Sequence, residues 1–462
     1  MAISQKFSTL VKKTKSEISR DKFKKNKKIT TRSKTNTNVV IGLGYVGLPL
    51  LFLMKKRLKQ VTGVDIDAKK VFLIEHRELP FHDETLLKNF PVGKKLSVTT
   101  EFRVVEQAQT VIVCVPTPVT NAHEPDLRPL KEACYSFAQF LRPGTLVVIE
   151  SSIYPGTTRD IVQPILEKGS GLSIEKGEFF LAHCPERINP ADPYWHVENI
   201  PRVVGGVNKA STQNAASWYR KILGNVQVEE MESSEEAEAV KMVENAFRDV
   251  NIAFVNELAI AFEAFGINIV HVIKGASSKP FAFLPHYPGC GVGGHCIPVD
   301  PYYLIERAQK NGVSLHLLRT ARQVNNFMPE HTVERTYQAL ASNGSKDLSG
   351  KVVTVLGLAY KRNTDDQRES PSHTMIKLFK QRGFQVRAYD PYLPKDSSAT
   401  SLKQALVGSD VAVIATDHDQ FIKTITPELL KRYQISLIVD GRNCLSKEPF
   451  EEKGIHYIGI GT

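Results

Sequence analysis

The chain has 462 residues, 42% of them hydrophobic and 24% charged, which is the composition of an ordinary globular protein. This length exceeds what one hydrophobic core normally supports, so two or three domains are expected. No apolar run approaches the roughly 18 residues that span a bilayer, and the N-terminus lacks the apolar stretch of a signal peptide. We therefore expect a cytoplasmic protein with no transmembrane segment. Six scattered cysteines are unlike the dense spacing of a disulfide-stapled secreted domain, and free thiols are expected.

The net charge of +11 is concentrated at the N-terminus. The first 37 residues contain ten lysines and two arginines against Glu17 and Asp21, so the rest of the chain is nearly neutral. This pattern predicts a basic, disordered tail over residues 1–36. Weak attraction of the tail to anionic lipid or nucleic acid is the alternative, but the folded part carries no charge excess that requires a nucleic-acid partner.

A glycine motif opens the folded part. The stretch TNVVIGLGYVGLPLL combines a strand-like run with Gly42, Gly44 and Gly47 in the spacing G-x-G-x-x-G. The first glycine permits a tight turn, the second lets a pyrophosphate approach the backbone, and the third allows helix and strand to pack closely. A second apolar run ends at Asp65, where a carboxylate could accept hydrogen bonds from a ribose. This order of strand, glycine turn, helix, strand and acid predicts a dinucleotide site, with NAD favoured over NADP. The alternative is a glycine turn with an unrelated aspartate at the end of a strand.

Three further strand-like runs, TVIVCVP, TLVVIESS and FFLAHCPER, alternate with helix-compatible stretches. This alternation is expected of a doubly wound parallel sheet, whose ligands bind beyond the carboxyl ends of the strands. Position therefore makes Thr117, Ser152 and Glu186 candidates for a binding site. The alternative is that each is a loop residue that bonds its own backbone.

One long helix is predicted from Ser233 to Gly266, because serine and acidic residues suit its start and glycine suits its end. Lys241 and Asn245 are four residues apart and so share a face of this helix. They either belong to a salt-bridged solvent face or aim a cation and an amide together at developing oxyanion charge. Apolar residues at helical intervals are expected to face a core: Ala237, Val240, Val243, Ala246 and Phe247.

The last part of the chain predicts a second α/β domain. The runs KVVTVLGLAY, QVRAYDPY, DVAVIATDH and SLIVDGRN are strand-like, but the complete glycine motif is missing. Lys361, Arg368 and Arg442 could bind the anionic groups of another nucleotide-like ligand. Each could equally be an ordinary surface cation.

The stretch GCGVGGHCIPVDP, residues 289–301, places Cys296 in a glycine-rich turn that can wrap closely round a ligand. Asp300 and Pro301 predict a helix start with Asp300 as N-cap. Cys296 would then precede a helix N-terminus, where a thiolate is favoured. A nucleophilic thiol beside a nicotinamide suggests oxidation of an aldehyde through a tetrahedral adduct.

Two other interpretations of this stretch remain open: a buried, inert cysteine, and a zinc site. The zinc site would use four residues whose spacing matches no usual zinc finger, namely His286, Cys290, His295 and Cys296. The adjacent His295 and Cys296 would face one ion only with difficulty.

From residue 37 onward the sequence resembles the UDP-glucose/GDP-mannose dehydrogenase family. The motifs that carry the resemblance occur in the family's order: IGLGYVGLP, VPTP, SSIYPGTT, CPERINP, VKMVENAFRDVNIAFVNELA, GVGGHCIPVDPYYL, GLAYKRNTDDQRESP and DGRN. The resemblance implies two Rossmann-like doubly wound domains joined by a long central helix in an α-helical dimerisation domain. We place the NAD-binding domain at 37–215, the central domain with the cysteine loop at 216–335, and the UDP-sugar-binding domain at 336–462.

The resemblance also implies a four-electron oxidation of a sugar C6 alcohol to a carboxylate, with two NAD per turnover. It makes Cys296 the nucleophile, with Asp300 as the adjacent acid. It assigns the remaining catalytic roles to Lys241, Asn245, Glu186 and Ser152. NAD contacts fall on Gly42, Gly44, Gly47, Asp65, Thr117 and Arg368. Substrate contacts fall on Arg187, Asn189, Lys361 and Arg442.

The motifs PERINP and GVGGHCIPVDPYYL are more similar to the branch of the family that acts on UDP-N-acetylhexosamines. We therefore expect UDP-GlcNAc or UDP-ManNAc as substrate, a homodimer, and a role in surface polysaccharide synthesis, with UDP-glucose as the alternative substrate. Two other classes remain: a two-electron hydroxyacid dehydrogenase, and a non-catalytic protein that binds RNA or lipid through its basic tail.

Overall fold

The computed structural model describes residues 37–81, 83–91, 96–120, 124–187, 194–342 and 348–462. The predicted basic tail over residues 1–36 lies outside the described residues. From residue 36 onward the chain forms one compact unit. Within the described residues, no helix is both long enough and apolar enough to cross a membrane.

The first sheet is built from buried, largely β-branched runs of the N-terminal half. Its strands are β1 (Thr37–Ile41), β2 (Gln60–Val64), β3 (Ser97–Thr99), β4 (Ala108–Val113), β5 (Leu146–Ile149), β6 (Phe180–His183), β7 (Arg202–Gly206) and β8 (Val228–Glu230). They lie in the order β3-β2-β1-β4-β5-β6-β7-β8. All neighbours are parallel except β6 and β7, which run antiparallel. The order reverses at β1 and β4, which is where ligands bind in such sheets.

Helices connect these strands, and apolar side chains pack on both faces of the sheet. They are α1 (Gly47–Arg57), α2 (Ala68–Glu75), α3 (Glu84–Lys88), α4 (Arg128–Ala138), α5 (Gln163–Ser170) and α6 (Lys209–Leu223). A 3₁₀ helix (Phe102–Gln107) precedes β4, and one turn of π-helix (Thr158–Val162) precedes α5.

The predicted long helix is α7 (Ser234–Phe265). The Ser233 side chain caps it by accepting a hydrogen bond from the backbone N–H of Glu236. Gly266, with a φ of 68°, ends it in the left-handed conformation that glycine adopts most easily. Three more helices complete the central region: α8 (Ile269–Ala276), α9 (Asp300–Lys310) and α10 (His316–Ser342).

Buried polar side chains join α7 to α10. The Arg322 guanidinium donates to the Asp249 carboxylate over 2.6 Å, and both side chains are almost fully buried. Asn325 donates to the same carboxylate, and Asn256 donates to Asn325. Asn256 in turn accepts the backbone N–H of Gly289, so this cluster also holds the start of the cysteine loop.

The prediction that Val243 and Phe247 face a core is wrong. Their exposed fractions are 59% and 49%, whereas Ala237 and Ala246 are buried as expected. The helical spacing was correct, but Val243 and Phe247 lie on a second apolar face of α7 that remains largely exposed.

The second sheet contains β9 (Val352–Leu356), β10 (Gln385–Tyr389), β11 (Val411–Ile414), β12 (Leu437–Asp440) and β13 (His456–Gly459). All of its strand pairs are parallel, in the order β10-β9-β11-β12-β13. Its helices are α11 (Pro371–Gln381), α12 (Leu402–Leu406), α13 (Asp419–Thr424), α14 (Pro427–Arg432) and α15 (Glu448–Glu452). The predicted fold class, with two doubly wound sheets and a long central helix, is therefore confirmed. The exact domain boundaries stay predictions.

We expect Asp249→Ala to lower the free energy of unfolding by about 3–5 kcal/mol, because it leaves a buried guanidinium without its anion. Urea titration measures this loss. The matched control is Glu334→Ala, which breaks a half-exposed ion pair with Arg382 and should cost no more than about 1 kcal/mol. Equal losses in the two variants would contradict a stabilising role for the buried pair.

Candidate active site

The glycine turn between β1 and α1 has the geometry that its sequence predicts. Gly42 has a φ of +91°, and a Cβ there would lie 2.6 Å from the carbonyl oxygen of Cys114. A Cβ on Gly47 would lie 1.9 Å from the carbonyl oxygen of Gly42. At Gly44, by contrast, no described atom lies within 4 Å of the Cβ position. The first and third glycines are therefore required by packing, while the second faces open space at the N-terminus of α1, which fits a pyrophosphate.

Asp65 follows β2 directly and is 6% exposed. Its carboxylate accepts the backbone N–H of Leu43 over 2.8 Å, so it is bonded to the glycine turn itself. Lys70 lies 3.4 Å from the same carboxylate oxygen. Asp65 thus lies at the edge of the predicted NAD site, in the position that a ribose hydroxyl would reach.

The loops after β4 and β5 are tied together at the same edge of the sheet. The Thr117 hydroxyl donates to the Ser152 carbonyl over 2.6 Å. The Tyr303 hydroxyl, from α9, donates to the Thr117 carbonyl over 2.6 Å. This contact links the NAD-binding region to the helix that follows the cysteine loop.

Four predicted catalytic residues lie together between α7 and α9. The Asn245 amide donates to the Asp300 carboxylate over 2.6 Å. Burial raises the pKa of Asp300 to about 6, while the charge of Lys241 and the Asn245 hydrogen bond lower it. Burial raises the pKa of the Cys296 thiol, and the charge of Lys241 opposes this rise. A cation, an amide, a carboxyl group and a thiol therefore share one site, and these groups can stabilise an alkoxide and form a covalent adduct.

The expectation of a Cys296 thiolate is not met in this structure. Burial raises the pKa of the thiol to about 11 and outweighs the Lys241 charge. The backbone N–H groups of Val299 and Asp300, at the start of α9, donate to the Cys296 carbonyl at 3.1 and 2.8 Å. The helix N-terminus therefore binds the carbonyl of Cys296. The residue at the N-cap is Val299, and Asp300 is the first residue of the helix, which frees its side chain to bind Asn245.

Two glycines of the cysteine loop allow it to lie close to the segment after β9. A Cβ on Gly293 would lie 2.5 Å from the Cβ of Tyr360, and one on Gly294 would lie 2.8 Å from the Tyr360 ring. The Gly294 N–H donates to the Arg368 carbonyl over 2.9 Å. These glycines allow the loop to pack against the segment after β9. The loop that carries the thiol is therefore held against the domain of the second sheet.

The zinc alternative finds no support in the positions of its residues. Cys290 is fully buried and its thiol donates to the Ala415 carbonyl over 3.5 Å. His286 contacts the Leu284 carbonyl through its ring nitrogen. Within the part of the chain that the structure describes, no group of three His, Cys, Asp or Glu side chains could hold a metal ion.

Arg368 lies between the second sheet and the glycine turn. Its guanidinium pairs with Asp366 at 2.5 Å and lies 5.3 Å from the centre of the Tyr45 ring. Tyr45 belongs to the glycine turn and donates to Asp365 over 3.4 Å. The segment after β9 therefore meets the predicted NAD site, as the assignment of Arg368 requires.

Arg442 lies beside the start of the cysteine loop, after β12. Its guanidinium donates to the Ala415 carbonyl over 2.9 Å and to the Tyr360 carbonyl over 3.4 Å. A Cβ on Gly289 would lie 3.3 Å from this guanidinium. Lys361 directly follows Tyr360, so the two predicted substrate cations lie on neighbouring segments.

Glu186 belongs to a second buried cluster. Its carboxylate accepts the Arg202 guanidinium at 3.1 Å and the backbone N–H of Arg187 at 2.6 Å. The Arg187 side chain pairs at 2.5 Å with Glu244, which lies on α7 between Lys241 and Asn245. Asn189, the remaining predicted substrate contact, lies outside the described residues.

Sequence reasoning missed several polar residues of the site. Tyr45 and Tyr360 line the junction of the glycine turn, the cysteine loop and the second sheet. Glu150 and Arg202 surround Glu186. Glu150 directly follows a buried strand, the same signal that identified Asp65, but Arg202 has no local signal because a lone arginine at a strand start is common.

Comparison with known proteins gives matches to three family models, all described as UDP-glucose/GDP-mannose dehydrogenase family. The NAD binding domain matches residues 36–223, the central domain 235–327 and the UDP binding domain 354–447. A UDP-N-acetyl-D-mannosamine dehydrogenase of Pyrococcus horikoshii is 36% identical over 91% of this chain and 98% of that protein. A UDP-N-acetyl-D-glucosamine 6-dehydrogenase of Pseudomonas aeruginosa is 34% identical over 83% of this chain and 90% of that protein. A solved structure of the UDP-D-ManNAc dehydrogenase of Pyrococcus horikoshii has a TM-score of 0.85 and 34% identity, covering 92% of this chain and 99% of that one.

The glycine turn predicts opposite effects for two substitutions. Gly44→Val should leave the melting temperature nearly unchanged but weaken NAD binding about tenfold or more, because its side chain would occupy the space open to the pyrophosphate. Gly47→Ala should destabilise the fold, because its Cβ would collide with the Gly42 carbonyl. Calorimetric titration with NAD and thermal unfolding measure both effects. Unchanged NAD affinity in Gly44→Val would contradict this placement of the cofactor.

Proposed function

Because the chain belongs to the UDP-glucose/GDP-mannose dehydrogenase family, as its motifs predicted, we propose that it oxidises the C6 alcohol of a UDP-N-acetylhexosamine to the uronic acid. The chain is an NAD-dependent UDP-sugar dehydrogenase. The observation that supports the full reaction is the cluster of Lys241, Asn245 and Asp300 around the Cys296 thiol. A two-electron alcohol dehydrogenase would have no use for that thiol.

The first oxidation converts the C6 alcohol to an aldehyde. NAD, when bound, accepts the hydride that leaves C6. Asp300 takes the hydroxyl proton through a water molecule, for which its raised pKa suits it. Lys241 stabilises the alkoxide as it forms.

The second oxidation uses the thiol. The Cys296 sulfur adds to the aldehyde carbon and loses its proton, while the carbonyl oxygen gains a proton and becomes a hydroxyl, so no net proton is released. The high pKa of the resting thiol means that the proton is removed during this step, with Lys241 as the nearby cation that favours it. When C6 then loses its remaining hydride, which a second bound NAD would accept, and the hydroxyl proton leaves through Asp300 as in the first oxidation, a thioester remains on Cys296.

Hydrolysis of the thioester completes the reaction. Glu186 accepts a proton from the attacking water, the carbon–sulfur bond breaks, and the thiolate leaves and is protonated again. Arg202 and the Arg187 N–H hold the Glu186 carboxylate in place. Ser152, in the loop tied to Thr117, helps to position the water.

The UDP portion binds between the cysteine loop and the second sheet, where Lys361 and Arg442 supply positive charge for its phosphates. Arg187 and Asn189 are the proposed contacts of the sugar portion of the substrate. The relatives named for UDP-N-acetyl-D-mannosamine and UDP-N-acetyl-D-glucosamine support a hexosamine substrate over UDP-glucose. Uronic acids of this class suit the synthesis of surface polysaccharides.

A homodimer accompanies this function in our proposal. Large apolar side chains are exposed on α7, on α8 and in the segment before the cysteine loop, namely Val243, Phe247, Phe254, Phe265, Val272, Phe281 and Leu284. Exposed apolar side chains in this number favour association, and a second copy of the chain carries the same ones. Such an interface would lie next to the catalytic face of α7.

The substrate and the thiol are tested in one experiment. With NAD and each of UDP-GlcNAc, UDP-ManNAc, UDP-GalNAc and UDP-glucose, we expect two NADH per uronate and the fastest turnover with a UDP-N-acetylhexosamine. Cys296→Ser should give no more than one NADH per active site and no uronate, because no thioester can form. Cys290→Ala, which changes the buried cysteine of the same loop, is the control and should retain turnover. Normal uronate production by Cys296→Ser would refute the mechanism.

The first oxidation should lose rate as the pH falls below about 6, because Asp300 is then protonated. The Asn245 hydrogen bond favours the ionised carboxylate, so Asn245→Ala should raise the pKa of Asp300 and move the acid limb of the rate profile to higher pH. Asn251→Ala, which changes a partly exposed asparagine of α7 whose amide donates to the Phe247 carbonyl, should leave the limb in place. Presteady-state NADH formation measures the profiles, and an unmoved limb in Asn245→Ala would exclude Asp300 as its source.

A further inference from the structure

Two buried carboxyl groups lie together beneath the loops of the first sheet. Glu150 follows β5 and is 1% exposed, while Glu186 follows β6 and is 5% exposed. Their side chains are within hydrogen-bonding reach of each other. Arg202, at the start of β7, is fully buried and donates to Glu186 at 3.1 Å.

The remaining neighbours of Glu150 are neutral groups at neutral pH. The Tyr219 hydroxyl, from α6, donates to one Glu150 oxygen, and the Cys114 thiol lies 3.9 Å from the other. Burial raises the pKa of the Tyr219, Cys114 and Cys184 groups, so none of them carries charge. The titratable groups that face Glu150 are therefore Glu186, Arg202, Tyr219, Cys114 and Cys184.

Charge balance restricts how this cluster can be protonated. Two ionised carboxylates with one guanidinium would leave a net negative charge in a buried site, which is costly. One shared proton makes the cluster neutral and gives the two carboxyl groups an O–H···O hydrogen bond.

The contacts indicate which carboxyl group keeps the proton. One Glu186 oxygen accepts from the Arg202 guanidinium and the other accepts from the Arg187 N–H, so both oxygens of Glu186 already act as acceptors. Glu150 is the more deeply buried of the two and has no direct guanidinium bond among the described contacts. Burial, followed by the influence of Glu186, raises the pKa of Glu150, against the opposing charge of Arg202.

We propose that Glu150 is a positioning residue for thioester hydrolysis, which carries the shared proton and so holds Glu186 as an oriented carboxylate. This inference rests on the proposed function, since it concerns the base of the final step. No bond other than hydrogen bonds changes at Glu150. Glu186 takes the proton of the attacking water, and Glu150 keeps its own throughout.

Unpartnered groups on Arg202 agree with this role. Its Nε and Nη2 atoms are buried and have no hydrogen-bond partner within the described residues. Because the Arg202 guanidinium has unused donors, it can turn towards either carboxyl group. The guanidinium alone therefore does not fix Glu186 in one position. The proton on Glu150 supplies a third hydrogen bond to Glu186, beside those from Arg202 and the Arg187 N–H.

The test uses three substitutions and follows single turnovers by acid quench, measuring NADH and the Cys296 thioester. Glu150→Gln keeps a neutral donor beside Glu186, and its hydrolysis rate should stay within about threefold of wild type. Glu150→Ala removes the donor and should slow hydrolysis about tenfold or more, so that thioester accumulates while the first NADH forms at nearly the normal rate.

The pH profile of hydrolysis separates this role from a structural one. In wild type the rate of hydrolysis should change as Glu150 ionises, at a pH above the range in which an ordinary glutamate ionises. Glu150→Gln should lack this inflexion. Tyr219→Phe should move the inflexion to higher pH, because the tyrosine hydroxyl stabilises the ionised form of Glu150.

Two results would overturn the inference while leaving the proposed function intact. In the first, wild type forms two NADH per uronate, and the pH profile of hydrolysis in Glu150→Gln shows the same inflexion as in wild type. The other is equal slowing of the first oxidation and of hydrolysis in Glu150→Ala. If wild type forms no NADH with any UDP-N-acetylhexosamine, the proposed function fails and this inference fails with it.

Discussion

The hydrogen bond between Asn245 and Asp300 is the contact on which the arrangement of the site depends. It joins the long helix α7 to the helix that follows the cysteine loop, inside protein where a missing partner would be costly. Because Lys241 lies one turn before Asn245, the same contact brings its ammonium group near both Asp300 and Cys296. The central helix thus fixes the cation and the amide, and the loop supplies the thiol and the acid.

Both sheets contribute to this arrangement through short backbone contacts. Glycines in the cysteine loop allow it to touch Tyr360 and the Arg368 carbonyl, while Arg368 itself reaches the Tyr45 ring in the glycine turn. The segment after β9 therefore contacts the glycine turn and the cysteine loop at once. A change in the position of the second sheet would alter both regions together, which suits the proposed reaction, in which a second cofactor molecule enters while the sugar stays covalently bound.

Local patterns in the sequence predicted the fold and the geometry of the glycine turn because their causes are local. The glycine spacing, the acid after β2 and the long capped helix depend on neighbouring residues, and the structure places Gly42, Gly47 and Asp65 accordingly. The errors concern contacts between distant parts of the chain. Helical spacing cannot tell a core face from an uncovered one, hence the exposed Val243 and Phe247. A helix start predicts a thiolate only if its N–H groups reach the sulfur, and here they bind the Cys296 carbonyl.

The central claim is that Cys296 becomes covalently attached to the sugar during turnover. The most direct measurement is peptide mapping by mass spectrometry of enzyme quenched in acid a few milliseconds to seconds after mixing with NAD and a UDP-N-acetylhexosamine. We expect the peptide that carries Cys296 to gain the mass of the acyl sugar nucleotide, and we expect this adduct to decay as uronate appears. An unmodified Cys296 throughout a turnover that yields two NADH per uronate would contradict it.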